Sequence, residues 1–451
     1  MTRLTAFRWI AAVASLLALD AGPAAAQQPV TLTLGGAARF AAERSAGPEA
    51  ARYRVDMAEA RLRQQHADLL PTVAGALSQG ERTLNSAGFG LALRDPTTGS
   101  DLFDPAGQVL GPVRTWDLRA TARQSVVDFS SFARVRAARA AVAAADADAT
   151  NESQQAAASA AMLYVRALSA DAQLFARQAD STLAEELLGI ARNQQDAGMG
   201  IALDVTRAQA QLATTRAQLI AARTERERAR LQLHRALGLP FDAPLTLADS
   251  LLEMPTALPA PLEAETNERA LRTRADLRMI GVQMDGVERQ ITAIKAERLP
   301  ALSIFADWGS TGNSTARLLN TYSWGVQVSI PVFDGLRREG RINEQRSAMR
   351  ELDVRRRDLV QQVMLEVRVA LLELTSAAEQ IRATDERLAL AEQELELARR
   401  RFTQGVAGNA DVITALLGLN AARTQIVDAR ATFQSARVAL ALAQGVVTEL
   451  P

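Results

Sequence analysis

The sequence predicts a mainly α, α+β fold, in which one strand–strand–long helix–turn–helix unit is written twice. Three observations carry this reading. Hydrophobic residues make up 48% of the 451-residue chain and aromatics only 4%, so the apolar content is mostly Ala, Leu and Val, which suits long, closely packed helices. Residues 191–205, ARNQQDAGMGIALDV, align without a gap on 398–412, ARRRFTQGVAGNADV, and self-similarity over so long an offset marks two copies of one structural unit. Strictly alternating segments precede each long helical run, and alternation is the period of a strand.

Composition also narrows function. Lys+Arg and Asp+Glu are both 51, so the basic footprint of a nucleic-acid binder is missing. There is no Cys, which excludes structural disulfides, thiolate metal sites and thiol nucleophiles. The two histidines, His66 and His234, fall in predicted helices and read as surface or packing residues. Gly88-Phe89-Gly90 and Gly198-Met199-Gly200 lack the strand–glycine loop–helix setting of a nucleotide site, and there is no Walker motif. No catalytic, cofactor or metal site is expected, and any energy must come from a partner.

Taken in chain order, Arg3 and Arg8 flank a short basic region and Trp9–Leu19 is an apolar run of eleven residues. Ala24-Ala25-Ala26 then offers a small-residue cleavage site, so residues 1–26 read as a secretory signal peptide. No later segment has 18 consecutive apolar residues, so no transmembrane helix is expected. A membrane β-barrel is not excluded, because its strands barely register in hydropathy.

The first repeat is placed at 27–239, with strands at about 72–83 and 114–127 and helices at about 130–197 and 203–237. A Pro-rich linker follows at 240–261, with Pro240, Pro244, Pro255, Pro259 and Pro261. The second repeat, 262–451, has strands at about 301–310 and 321–331 and helices at about 336–404 and 410–445. In 321–330, Thr321, Ser323, Gly325, Gln327 and Ser329 lie on one face and Tyr322, Trp324, Val326, Val328 and Ile330 on the other. In 115–123, Thr115, Asp117, Arg119, Thr121 and Arg123 oppose Trp116, Leu118, Ala120 and Ala122. Residues 301–309 gather Leu302, Ile304, Ala306 and Trp308 together. Strands of about ten residues with one polar and one apolar face fit a membrane barrel. Trp116, Trp308 and Trp324, with Tyr322, sit on the apolar faces as interfacial girdle residues would.

The helices show a heptad seam. Val363, Val367, Ala370, Leu374, Ala377 and Ile381 step by three and four, and the stepping resumes at Val412, Ala415, Leu419, Ala422 and Ile426. From Phe132 to Ala197 there is no Pro and only one Gly, Gly189; at 1.5 Å per residue such a helix reaches about 100 Å. Seams alone also fit a structural or adhesive coiled-coil protein of the periplasm or cell surface. The aligned tryptophans favour a channel instead, since a spacer has no use for them. Four strands cannot close a barrel, for which about eight is the practical minimum, so membrane-crossing strands would require oligomerisation. Long loops at one end of the hairpins and direct runs into helices at the other set the polarity, with loops outward and helices inward.

The signal peptide, the duplicated unit, Leu70-Pro71 and Leu299-Pro300 before each first strand, and Ile330-Pro331-Val332-Phe333-Asp334-Gly335 after a strand together resemble the TolC family of outer-membrane efflux proteins. The resemblance implies a homotrimer: a twelve-strand barrel in outer-membrane lipid, continued by a periplasmic α-barrel. It further implies that the protein is the exit duct of a tripartite efflux pump, or the channel of a type I protein secretion system. Its partners would be a periplasmic adaptor and an inner-membrane transporter. By the same resemblance the helix-turn-helix tips, with Gly198, Asp204 and Val205 and with Gly405, Asp411 and Val412, dock the adaptor and form the entrance. Asp204 and Asp411 read equally well as helix N-caps. The Tyr and Arg that latch the closed state in some members are Phe402 and Ala407 here, so that latch does not carry over. Many relatives carry a lipidated N-terminal Cys; this chain has none, leaving barrel and trimer to hold it in the membrane.

Overall fold

The computed structural model describes residues 30–89, 97–98, 107–256, 261–404, 406 and 408–451. The signal-peptide assignment, Pro259 and the tip residues Gly405 and Ala407 therefore lie outside the described residues. In chain order the elements are β1 (Val30–Leu32), α1 (Leu34–Arg44), α2 (Ala46–Ala67), β2 (Thr72–Asn85) and β3 (Val109–Val127). Then come α3 (Phe129–Asp196), α4 (Ala202–Leu237), β4 (Leu245–Leu247), α5 (Glu263–Thr273) and α6 (Ala275–Ala296). β5 (Ala301–Gly312), β6 (Leu319–Ser329), α7 (Arg337–Thr403) and α8 (Asn409–Ala443) complete the chain. Among the described residues no helix is long and apolar enough to cross a membrane.

Contacts divide the chain into two compact units. One takes residues up to 46, 153–273 and 366–451; the other takes 47–152 and 274–365. These units cut across the sequence repeats, because strands of different repeats pair with each other. In the second unit β2, β3, β5 and β6 form one antiparallel sheet in that order. Its central seam joins β3 of the first repeat to β5 of the second, with Ala120 opposite Trp308 and Ala122 opposite Ala306.

The register keeps the predicted faces intact across the sheet. Trp308 stands opposite Tyr322, Ala306 opposite Trp324, Ile304 opposite Val326 and Leu302 opposite Val328. Leu77 stands opposite Leu118 and Val73 opposite Ala122, so Val73, Leu77, Leu118, Trp308, Tyr322 and Trp324 share one face. Both edges are open: β2 and β6 each have one strand neighbour. On the polar face, Gly325 lies under the Phe305 ring, where a Cβ would come within 2.8 Å of Cζ. Only glycine leaves room there, and the ring covers the gap.

Each strand pair feeds a long helix through an aspartate. Asp128 Oδ1 accepts from the backbone N–H of Ser130 at 2.9 Å and of Ser131 at 3.2 Å, and both serine hydroxyls donate to the same carboxylate. That is an N-cap of α3. Burial pushes the Asp128 carboxyl up, but the bonds from Ser131 and Ser130 outweigh it and hold it below its ordinary value. At the matching junction Asp334 accepts from Arg338 through both its N–H and its guanidinium, at 3.1 and 2.7 Å, which likewise lowers its pKa. The chain reverses into α7 through Gly335 and Leu336, at φ of 70° and 65°.

The other unit holds the helical core. The predicted seam is its interior: Val367, Ala370, Leu374, Ala377 and Ile381 of α7 and Val412, Ala415, Leu419, Ala422 and Ile426 of α8 are buried, and Val363 is buried within the strand-bearing unit. The large–small alternation lets neighbouring helices interlock. The Pro-rich linker is more than a joint. Its β4 pairs in parallel with β1, Val30 opposite Leu245 and Leu32 opposite Leu247. The buried Tyr164 hydroxyl donates to the Leu32 carbonyl at 2.8 Å and accepts from the Asp249 N–H at 3.3 Å. Burial pushes its pKa well up. Asp249 in turn accepts from the Leu34 N–H at 2.8 Å, which holds the start of α1.

Candidate functional site

The first tip is built by a short turn between α3 and α4. Gly198 has φ of 74°, a conformation that costs glycine nothing. Met199 and Gly200 N–H groups both close on the Gln194 carbonyl at 2.9 Å. The turn leaves Met199, Ile201 and Leu203 exposed, and Val406 stands exposed at the second tip. Sequence reading missed these four. The signal was present, since apolar residues at or between two helix ends have no core of their own to fill.

Beneath the turns lies an apolar cluster in which Val205, Phe402 and Val412 are buried with Leu188, Leu395 and Leu416. Two amides tie the tips together. Asn409 Nδ2 donates to the Asp204 carbonyl at 2.8 Å, and Gln194 Nε2 donates to the Phe402 carbonyl at 3.1 Å. Phe402 therefore packs into the core and offers its backbone oxygen.

Asp204 and Asp411 are not N-caps. The caps of α4 and α8 are Ile201 and Gly408, neither with a side-chain cap bond, and both aspartates are the third residues of their helices, within the first turn. A carboxylate in the first turn still gains from the helix dipole, by about 0.3–1 kcal/mol. An Asn substitution therefore tests their charge alone. Asp411→Asn is expected to leave assembly intact yet lower cation preference in single-channel recordings, with Asp204→Asn acting less strongly because Asp411 is the more exposed. Unchanged selectivity in both variants and in the double variant would remove these residues from the entrance.

The polar face of the sheet carries a connected network. Arg119 is paired with Asp307 and, at 3.3 Å, with Asp117. It also donates to Thr321 Oγ1 at 3.2 Å, and Ser323 donates to Asp307. In the helical unit a second polar hub interrupts the apolar seam. Asp180, 1% exposed, is paired with Arg177 at 3.3 Å and with Arg423 of α8 at 3.0 Å. Asn420, with its amide nitrogen turned inward, donates to Asp180 Oδ1 at 2.7 Å. Burial raises the pKa of Asp180, and the two arginines only partly reverse this.

The remaining candidates are structural. His234 is buried between the Arg230 and Ala243 carbonyls at 2.8 and 3.0 Å, and His66 lies in α2. At the start of α3, Arg134 donates to the Ser130 and Ser131 hydroxyls and pairs with Asp128, so it too is structural.

A two-faced antiparallel sheet with open edges, joined to long seam-packed helical hairpins with apolar tips, defines a channel-type protein of the outer membrane. The profile of the outer membrane efflux protein family matches residues 41–239 and 267–446. The chain belongs to that family and so to the outer membrane. It is 25% identical to the alkaline protease secretion protein AprF of Pseudomonas aeruginosa, over 72% of this chain and 69% of AprF. It is 27% identical to the probable efflux pump outer membrane protein SepC of Pseudomonas putida, over 59% of this chain and 56% of SepC. The outer membrane protein VceC from Vibrio cholerae has the same fold, with a TM-score of 0.71 at 18% identity over 91% of this chain and 96% of VceC.

Proposed function

We propose that the protein is the outer-membrane exit duct of a tripartite efflux pump, a passive, non-enzymatic conduit. It would receive solutes from an inner-membrane transporter through a periplasmic adaptor. The observation that carries this is the segregation of the sheet into an apolar face bearing Trp308, Tyr322 and Trp324 and a polar face bearing Arg119, Asp307 and Ser323. Such a sheet suits lipid on one side and water on the other. On this reading Trp116, Trp308, Tyr322 and Trp324 form the membrane girdle, and three chains close one twelve-strand barrel. The exposed Met199, Ile201, Leu203 and Val406 suit docking of an apolar adaptor surface at the tips.

A second reading, the channel of a type I protein secretion system, is favoured by one observation. The match to AprF covers more of both chains than the match to SepC. The two readings share one architecture and differ in cargo. Loss of the gene would sensitise cells to small toxic solutes under the first, and leave a secreted protein inside under the second.

The duct itself is tested by single-Cys labelling, which is clean because the chain has no native Cys. Cys at positions 327 and 329 is expected to react with a water-soluble thiol reagent in intact membranes, and Cys at 324 and 326 to be protected. Equal labelling at all four positions would sink the barrel assignment.

A further inference from the structure

We infer that the strand section of the duct attracts anions, through a collar of Arg123 side chains. This rests on the reading that the polar face of the sheet lines the pore. Residues two apart share a face of a strand, and the register extends that face across all four strands. It places Arg82 opposite Val113, and Ala76 opposite Arg119. Arg123 stands opposite Thr72 on one side and Phe305 on the other. The charged residues on this face of the described strands are Arg82, Asp117, Arg119, Arg123 and Asp307.

These charges are not equally available. Arg119 is held between Asp117 and Asp307, with Thr321 and Ser323 completing the network. Its charge is met twice over. Arg82 and Arg123 are exposed and make no ion pair among the described residues. Three arginines against two aspartates leave one positive charge per chain on the face, repeated in every copy around the pore.

Arg123 is the sharper of the two cations. Its cross-strand neighbours Thr72 and Phe305 are uncharged. The nearest carboxylate on this face of the sheet, Asp307, is two residues along β5 from Phe305 and already bound by Arg119 and Ser323. In water-filled space a charge acts over about a Debye length, roughly 10 Å at 0.1 M salt and 30 Å at 0.01 M. The collar therefore concentrates small anionic solutes near the pore wall and disfavours cations there. Its sign is opposite to that proposed for Asp204 and Asp411 at the tips.

Ser303 is a suitable reporter. It shares the polar face, sits two residues from Phe305 on the side away from Asp307, and is thus a diagonal neighbour of Arg123, about 7–8 Å away. Ser303→Cys in otherwise unaltered trimers would be reacted with a negatively and a positively charged methanethiosulfonate of similar size. With each rate divided by that reagent's rate on a small free thiol, the anionic reagent is expected to react faster. Adding Arg123→Gln should lower the anion-to-cation rate ratio about threefold at 0.1 M salt and about fivefold at 0.01 M. Arg123→Lys should preserve the ratio, and the distant Arg82→Gln should leave it unchanged. If Arg123→Gln does not assemble, the Ser303→Cys protein alone decides: its ratio should fall toward one as salt rises to 1 M. A ratio indifferent to both Arg123 and salt would overturn the collar while leaving the duct intact. Protection of Ser303→Cys from both reagents would instead overturn the face assignment beneath it.

Discussion

Protein extracted in mild detergent is expected to have the native mass of three chains, and variants that cannot assemble are expected to fail to insert at all. The reason lies in the sheet edges. β2 spans 14 residues and β6 spans 11, and each has a neighbour on one side only. About half the backbone N–H and C=O groups of an edge strand point away from its neighbour, which makes on the order of ten unpaired groups per edge in hydrocarbon. At about 2 kcal/mol or more each, a lone protomer in lipid would carry a penalty of tens of kcal/mol. Pairing β6 of one copy with β2 of the next removes that penalty at every junction. A stable monomer with full β content in detergent and in lipid would contradict the closure argument.

Asp180→Ala is expected to destabilise the helical unit by about 3 kcal/mol, at the lower end of the range for breaking a buried ion pair. The substitution removes the acceptor shared by Arg177, Arg423 and Asn420. The two arginines keep 20% and 27% exposure, so water recovers part of what they lose. Asp180→Asn retains an acceptor and is expected to cost less. The sign of the pH dependence also follows. Burial raises the Asp180 pKa above its unfolded value, so ionisation disfavours the fold, and that cost is relieved as pH falls through the folded pKa. The measurement is the denaturant midpoint of the extracted trimer. A change of less than about 0.5 kcal/mol, the scatter of ordinary surface substitutions, would show that the hub contributes no net stability.

Much of the helical architecture was legible, because period is a local property. The stepping from Val363 to Ile381 and from Val412 to Ile426 names buried positions correctly without reference to any neighbour. Asp180 was legible only in part. It occupies the same stepping as the buried Ala184, Leu187 and Ala191, and a carboxylate at a seam position signals a buried pair. Its partner Arg423 lies 243 residues away on α8, and no local pattern connects them.

At the first tip, the turn itself was legible from Gly198. The role of the neighbouring aspartates was not. Whether a carboxylate caps a helix depends on where the helix begins, and α4 and α8 begin earlier than the aspartates. Likewise the linker prolines announced a break in the helices but not the parallel pairing of β4 with β1, which joins segments more than 200 residues apart.

The sequence by itself determined the periods: which residues share a strand face, which line a helix seam, and that the unit occurs twice. Those follow from the fixed geometry of one residue to the next. Only the tertiary structure decided the pairings. It set β3 against β5 so that the apolar face of one repeat continues into that of the other, bound Arg119 between Asp117 and Asp307 while leaving Arg123 without an ion pair among the described residues, and placed Asp180 beside Arg423. Contacts between distant residues depend on how whole elements pack, and packing is settled by the joint burial of many side chains rather than by any one segment.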